Sequence, residues 1–396
     1  MREHLGAEAS DSLLHGLQQP ATVSVRFNAR KFPGQLQGVG DPVPWCPDAY
    51  YLGTRLAFTF DPLFHAGVYY VQDASSMYLA EIIRKYLPLK GESEGVFALD
   101  LCAAPGGKST LLASHLPEGS LLISNEPIRK RAQVLAENMH KWCAPARVGE
   151  GPSVPVQSVV TQLMPAQFGH LRQTFDLILA DVPCSGEGMF RKDPVALQEW
   201  SMDNVRQCAR RQRDILTAIL PTLRPGGLLI YSTCTFNRFE DEDQVRWLMA
   251  EYGLQLLEER HFFPGRDRGE GLYMAALRAG EGSASFGSLE SLRSLKSLKS
   301  LAPLPAPFSF AESEGHVELD YAQAIAYLRR EALHIAAPRG ILAATYRGVP
   351  LGLVKSVGSR LNNLYPQDWR IRTTYNPTDP VPDFFFWLNN EIKKNF

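Results

Sequence analysis

The stretch VFALDLCAAPGGKSTLL, Val96 to Leu112, decides how the chain is read. Its first half is an apolar run of strand length, its second half opens a helix, and a glycine turn joins them. Gly107, Lys108 and Ser109 spell the end of a phosphate-binding loop, G-x-x-x-x-G-K-[ST]. That loop needs its first glycine so that backbone N–H groups can curl round the phosphates. Counting back from Lys108, the position holds Cys102, and Pro105 stands inside the turn. The triphosphate reading fails at a residue its geometry requires.

Working outward, SLLISNEP, VQSVV, FDLILADVPC and GLLIYSTCT are further strand candidates, with the helical pattern RKRAQVLAENMHKW between the first two. Their near-continuous apolar character implies burial on both faces, as in a parallel sheet covered by helices. The order predicts a doubly wound α/β domain over residues 71–280. Glu126 ends the second strand, nineteen residues past Gly107. An acid there accepts both ribose hydroxyls of a dinucleotide or of S-adenosyl-L-methionine.

Two later strand ends carry thiols. ADVPCSGEGMFRKDP places Asp181 and Cys184 after the fourth strand, and YSTCTFN places Cys234 after the fifth. In a doubly wound sheet these ends share one crevice with the glycine turn. Cysteine is often buried for packing alone, and Cys46, Cys143 and Cys208 are read that way. Cys184 and Cys234 are bounded by Pro, Ser or Thr instead of an apolar run, which favours chemistry. Two thiols, an acid and a methyl donor fit methylation at C5 of a pyrimidine. That carbon is too poor a nucleophile until a thiolate adds at C6, and a second group must then remove the C5 proton. Lys108 would raise the thiolate share of a neighbouring cysteine, and Asp181 would stabilise the ring nitrogen that gains charge. Spacing alone does not order the two thiols.

DLCAAPGGKST, DVPCSGEGMFRKDP and YSTCTFNRFEDEDQV resemble the RNA cytosine-C5 methyltransferases of the NOL1/NOP2/Sun family, as do TFDPLFHAGVYYVQDASSM and GEGLYMAAL. GMFRKDP with LGLVKSVGSRLNNLYPQDWRIR is most similar to the bacterial 16S rRNA methyltransferase F type. The resemblance covers roughly residues 20–372 and rests on three separated motifs. It implies a class I, Rossmann-like methyltransferase core with a C-terminal PUA-like RNA-binding domain, S-adenosyl-L-methionine as cofactor, and ribosomal RNA or the small ribosomal subunit as partner. It makes Cys234 the nucleophile that forms the covalent adduct and gives Cys184 the release of product. Cys102, Ala103, Ala104, Pro105, Gly106, Gly107 and Lys108, with Glu126 and Asp181, match the family's cofactor contacts, and Lys108 and Asp181 border its catalytic centre. One departure stands out: where the family carries an Asp toward the adenine, this chain places Met164.

The rest of the sequence frames this core. Residues 1–70 read as a small α/β appendage with a helical pattern at Leu13, Leu14 and Leu17 and the strand TVSVRFN. SLESLRSLKSLKSL repeats Ser-Leu every three residues, which spreads leucines round a helix, so 281–302 reads as a linker. From 303 the helix VELDYAQAIAYLRREAL and the strand pair GILAATYRGVPLGLVKSV predict a small α+β domain, and the tail after Thr373 is unassigned. Val205, Cys208, Ile215, Ile219 and Leu223 form a helical stripe, with Arg206, Arg210, Arg211 and Arg213 on a solvated face.

A net charge of -1 in 396 residues gives no global pull on nucleic acid, so RNA must be met by local patches. Arg191 and Lys192, seven and eight residues after Cys184, are candidates for phosphates flanking a base drawn into the site. Lys355, Arg360, Arg370 and Arg372 are similar candidates. Tyr69, Tyr70 and Phe190 are candidates to stack on bases, with core packing expected for at least one. Six dispersed cysteines, no CxxC pair and no membrane-length apolar run predict a cytoplasmic protein without disulfides, membrane or metal, and a monomer is expected. The rival from the same class is DNA cytosine methylation, in which the Pro-Cys thiol is the nucleophile. The non-enzymatic rival is a ribosome-assembly factor that binds RNA with little or no turnover.

Overall fold

The computed structural model describes residues 6–32, 40–87, 95–281, 304 and 306–375. The Ser-Leu repeat and the tail from 376 lie outside the described residues.

The central sheet is built from the apolar runs. β5 (Phe97–Asp100), β6 (Leu121–Asn125) and β8 (Phe175–Asp181) are buried along almost their whole length, as strands covered on both faces must be. With β7 (Gln157–Thr161) and β9 (Leu223–Thr233) they pair in parallel, in the order β7-β6-β5-β8-β9. The antiparallel hairpin of β10 (Gln255–Phe262) and β11 (Leu272–Arg278) then adds to β9 through β11. After β5 the chain builds outward through β6 and β7, then returns to the other side of β5 with β8. That reversal opens a crevice at the carboxyl ends of β5 and β8.

Ser201 accepts the Asn204 N–H and caps the helix Met202–Ile219. The helical stripe expected to reach Leu223 stops earlier. Pro221 has no N–H to continue it, a single 3-10 turn follows, and Leu223 opens β9. Arg206, Arg210, Arg211 and Arg213 are all exposed on this helix.

On the N-terminal side, the helix Ala7–Gln18 precedes an antiparallel sheet of β1 (Val23–Phe27), β2 (Asp41–Val43), β3 (Cys46–Leu52) and β4 (Tyr69–Val71), in the order β2-β3-β1-β4. The C-terminal sheet runs β12-β13-β14-β15, from β12 (His316–Glu318), β13 (Gly340–Tyr346), β14 (Val349–Ser356) and β15 (Leu361–Asn363). The helix of this part is shorter than its sequence pattern suggests. Val317 and Glu318 belong to β12, and a capping box of Asp320 and Gln323 starts the helix at Tyr321 and carries it to Leu328.

The N-terminal segment is more than an appendage. Val25, Phe27 and Leu63 share one hydrophobic cluster with Ile325, Tyr327 and Leu351, so the N- and C-terminal sheets bury a common core. The Tyr321 hydroxyl donates to the Phe60 carbonyl at 3.0 Å across the same contact. Arg26 of β1 is fully buried and reaches the central domain. Its Nε donates to Gln72 Oε1 at 3.0 Å, and its Nη2 donates to Thr110 Oγ1 at 2.6 Å and to the Gly107 carbonyl at 3.2 Å. The guanidinium lies over Trp142, 4.4 Å from the ring centroid. β1 thus braces the helix that follows the glycine turn.

Leu63, 1% exposed in the shared core, tests that union. Leu63→Ala is expected to cost about 2–5 kcal/mol of stability. Hydrogen exchange should accelerate together in β1 and in Tyr321–Leu328. Unchanged protection of the C-terminal helix would show that the two sheets open independently.

Candidate active site

The glycine turn lies at the end of β5. Gly106 has φ 115°, a left-handed conformation that only glycine adopts without strain, and Gly107 begins the helix Gly107–His115. The turn is held from both sides. Ala103 N–H donates to the Asn125 carbonyl at 2.8 Å, Asn138 Nδ2 to the Pro105 carbonyl at 2.8 Å, and Arg131 Nη2 to the Ala104 carbonyl at 3.1 Å. Cys102 packs beside the apolar cluster under the turn, and burial pushes its thiol far above the usual range. Burial thus keeps this thiol protonated.

Asp100, which the sequence reading passed over, sits beneath the turn with no exposed surface. Its Oδ2 accepts the Ser109 hydroxyl at 2.6 Å, while Oδ1 is buried without a partner. Burial, opposed by the Ser109 hydrogen bond and added to by the charge of Asp181, raises its pKa to about 7. Glu126, 1% exposed just past β6, accepts the Ile128 N–H at 3.0 Å and pairs with Arg131 at 3.4 Å. Met164 is 59% exposed at the start of the turn Pro165–Phe168, so this wall offers a thioether in place of an acid.

The two thiols expected to share the crevice do so. Cys184 Sγ and Cys234 Sγ are 3.2 Å apart. Lys108 Nζ reaches Asp181 Oδ2 at 2.8 Å, and Ser232 donates its hydroxyl to Asp181 Oδ1 at 2.5 Å. Lys108 keeps its proton: burial alone would lower its pKa, but the Asp181 charge offsets this and holds it above the usual value. The thiols are not equivalent. The Cys184 S–H donated to it lowers the Cys234 pKa, and Lys108 adds to this against burial and the Asp181 charge. Cys184, as donor in that bond, is pushed up by it, by burial and by the charges of Cys234 and Glu240. The surroundings therefore favour negative charge on Cys234 over Cys184.

Backbone packing brings the two thiol-bearing loops together. Gly188 N–H donates to the Cys234 carbonyl at 2.8 Å. A Cβ on Gly188 would lie 2.5 Å from the Gly271 carbonyl oxygen, so the approach requires glycine there.

Other candidate residues fall elsewhere. Arg191 is a correction: its side chain is 7% exposed and pairs with Glu270 at 2.9 Å. It also donates to the Gly16 and Gly269 carbonyls, so the guanidinium ties three segments together and is not presented to phosphate. Lys192 also reaches Glu270, at 3.3 Å, but its side chain is 31% exposed. Tyr69 is buried, with its hydroxyl on Asp61 Oδ2 at 2.6 Å, whereas Tyr70 and Phe190 are half-buried. Lys355, Arg360, Arg370 and Arg372 are all exposed. Asp241, Glu242 and His261 also gather, with possible ligand atoms within 4.8 Å of one another. Within it His261 Nε2 lies 3.0 Å from Glu242 Oε1, while Asp241 Oδ2, Glu242 Oε2 and His261 Nδ1 are buried without a hydrogen-bond partner.

The sheet order, the glycine turn after its first parallel strand and the site at the switch point define a Rossmann-like methyltransferase fold. Two solved structures share it: a methyltransferase homolog protein from Pyrococcus horikoshii (TM-score 0.56, 23% identity, 69% of this chain and 91% of that one) and NSun6 from the same organism, solved with SFG (TM-score 0.58, 19% identity, 71% and 97%). Family models match successive parts of the sequence: the N-terminal domain of 16S rRNA methyltransferase RsmF at residues 1–74, 16S rRNA methyltransferase RsmB/F at 87–278, and the methyltransferase RsmF PUA domain at 314–371. The chain belongs to the RsmB/F family of 16S rRNA methyltransferases. Among its relatives are proteins named ribosomal RNA small subunit methyltransferase F. The one from Cronobacter sakazakii is 34% identical over 285 residues (67% of this chain, 56% of that protein), and the one from Pectobacterium atrosepticum is 34% identical over 268 residues (64% and 52%). The chain thus spans little more than half the length of these curated relatives.

Alkylation by iodoacetamide reads the thiol asymmetry without any substrate, because the thiolate is the reactive form. Cys234 should be modified before Cys184, and Lys108→Ala should slow its modification several-fold at neutral pH. Cys184→Ala removes the S–H donor, so the Cys234 pKa rises and the midpoint of its rate profile moves to more alkaline pH. Identical profiles in all three proteins would refute the assignment.

Proposed function

We propose that this protein methylates C5 of a cytosine in small-subunit ribosomal RNA, with S-adenosyl-L-methionine as methyl donor and Cys234 as nucleophile. The observation that carries the reading is the thiol pair at 3.2 Å beside Lys108 and Asp181, at the mouth of the glycine turn. Membership of the RsmB/F family supports it.

The residues of the crevice fit the cofactor. Asp100 has a buried oxygen without a partner, and a ligand ammonium supplies a donor of the right sign. The turn Cys102 to Lys108 would hold the methionine end, and Glu126 would hold the ribose. When bound, the cofactor supplies an electrophilic methyl group. Cys234 thiolate bonds to C6, and the ring electrons pass to C5, which becomes nucleophilic. Asp181, anchored by Lys108 and Ser232, accepts a hydrogen bond from the ring nitrogen once that nitrogen has taken a proton from water. After methylation Cys184, having released its own proton to solvent, takes the C5 proton as a thiolate, and the returning electrons expel the Cys234 sulfur as a thiolate. Cys184 is ready only then: at rest the neighbouring sulfur holds its proton in place, and a thioether no longer does so.

We read residues 1–70, 71–280 and 303–396 as N-terminal, catalytic and RNA-binding parts of one monomeric, cytoplasmic protein. Lys192 beside the site, and the exposed Lys355, Arg360, Arg370 and Arg372, are the groups we assign to RNA phosphates. The exposed Met164 favours one alternative, an assembly factor with weak cofactor binding; no heat on titration with millimolar S-adenosyl-L-methionine would support it.

Two measurements test the reading. RNA carrying 5-fluorocytosine should be trapped covalently by the wild type and by Cys184→Ala but not by Cys234→Ala; the reverse pattern would overturn the order of the thiols. Cofactor affinity should also depend on pH through Asp100. As pH falls below about 7 the carboxyl takes a proton and loses its attraction for an ammonium, so Kd rises toward roughly tenfold per pH unit. Asp100→Asn should bind weakly with a flat profile, and a wild type insensitive to pH between 5 and 8 would remove Asp100 from the site.

A further inference from the structure

Two carboxylates that the reaction above does not use stand behind the thiols. Glu187 follows Cys184 by three residues and Glu240 follows Cys234 by six. They are 2% and 0% exposed. Each reaches out of its own loop to the loop that carries the other cysteine. Glu240 Oε2 accepts the Ser185 N–H at 3.0 Å, and its Oε1 accepts the Ser185 hydroxyl. Glu187 Oε2 accepts the Phe236 N–H at 2.7 Å, two residues past Cys234, and its Oε1 accepts Trp200 Nε1 at 2.8 Å.

The far ends are anchored as well. Gln212 Nε2 donates to Glu240 Oε2 at 2.8 Å and to the Pro183 carbonyl at 3.1 Å, so one amide spans the acid and the residue before Cys184. Asn237 Nδ2 donates to Glu240 Oε1 at 2.9 Å. A buried carboxylate is tolerated only where donors satisfy it, and Glu240 has four. Such an arrangement is directional: a carboxylate in this cage fixes the backbone at Ser185, as an apolar contact would not.

We propose that Glu240 and Glu187 are positioning residues that form a reciprocal lock between the thiol loops, Glu240 holding Cys184 and Glu187 holding Cys234. Its catalytic consequence rests on the methyl-transfer reading. Addition occurs at C6 and proton removal at the adjoining C5, so two sulfurs on separate strands must converge on neighbouring ring atoms. A displacement of about 1 Å in such a pair costs on the order of 10²-fold in rate.

The lock is tested first without RNA or cofactor. Diamide oxidises a thiol pair: the S–S bond forms as the two thiol hydrogens pass to the azo nitrogens, giving the hydrazine. Mass spectrometry of the Cys184–Cys234 peptides follows the rate. Glu240→Gln and Glu187→Gln keep the side-chain size but place an amide donor among donors. Both should slow the disulfide several-fold, Glu240→Asp less so, and Arg210→Ala not at all. An unchanged rate in both glutamine variants overturns the lock.

RNA then separates the two arms. Glu240→Gln should accumulate adduct with unmodified cytosine RNA and lower kcat with little change in KM, because release through Cys184 fails. Glu187→Gln should slow adduct formation with 5-fluorocytosine RNA. Equal loss of both half-reactions with a matching fall in melting temperature would reduce the acids to general scaffold, and the corresponding aspartate variant distinguishes the same two outcomes if a glutamine variant does not fold. Slowed disulfide formation in a protein whose wild type never methylates RNA would keep the lock and discard the reaction.

Discussion

One carboxylate joins the ends of three parallel strands. Asp181 closes β8, takes Lys108 from the turn after β5 at 2.8 Å and Ser232 from β9 at 2.5 Å. The ion pair is not a large source of stability, because Asp181 is 32% exposed and taking both charges from water offsets much of their attraction. Its value is geometric and electrostatic. It fixes where the strand ends meet and keeps a protonated lysine near Cys234, whose pKa is lowered first by the Cys184 S–H and then by that lysine, against burial and the Asp181 charge.

The strand ends are held in turn by parts of the chain outside the sheet. Arg26 comes from the N-terminal sheet to the first turn of Gly107–His115, and burial lowers its pKa only to about 10, so the guanidinium stays charged among carbonyl and hydroxyl oxygens. Arg191 binds Glu270 and the Gly16 carbonyl, tying the Cys184 loop to the segment before β11 and to the first helix. The N-terminal sheet then shares its core with the C-terminal one. A continuous path of packing and hydrogen bonds therefore runs from the outer sheets to the thiols. A doubly wound sheet alone supplies a crevice; these supports supply its precision.

What the sequence disclosed and what it withheld divide along a physical line. Apolar runs report burial on both faces, so β5, β6, β8 and β9 were legible, and strand ends in such a sheet must meet, so Cys184, Cys234 and Lys108 were found together. The charged residues of the loops were not legible, because a carboxylate in a phosphate-facing cleft and one caged by backbone donors look alike in a string of letters. Arg191 reads as a surface cation until Glu270, seventy-nine residues away, is seen beside it. Glu187 carried one faint signal, its place between Gly186 and Gly188, where a tight turn can bring an acid against neighbouring backbone. The end of the Met202–Ile219 helix was written in Pro221 and was overridden by the apolar stripe. The shared core of the two outer sheets has no sequence signature, since periodicity shows which face is buried and not what buries it.

The proposed reaction asks two identical side chains 3.2 Å apart to take different parts. Each has an acid and a backbone loop near it, and neither is distinguished by composition. The difference arises from the S–H that Cys184 donates to Cys234, to which Lys108 adds against burial and the Asp181 charge. The S–H of Cys184 favours charge on Cys234, Lys108 adds to this, and the same donation makes Cys184 harder to ionise. The asymmetry is therefore self-reinforcing at rest and self-cancelling in use. In the proposed reaction Cys234 would become a thioether and lose its charge, the hydrogen bond would weaken, and Cys184 would be free to release its proton to solvent before it acts as base. On the proposed reaction the pair would need no moving part to order its two steps, only a fixed separation and the S–H that one thiol donates to the other.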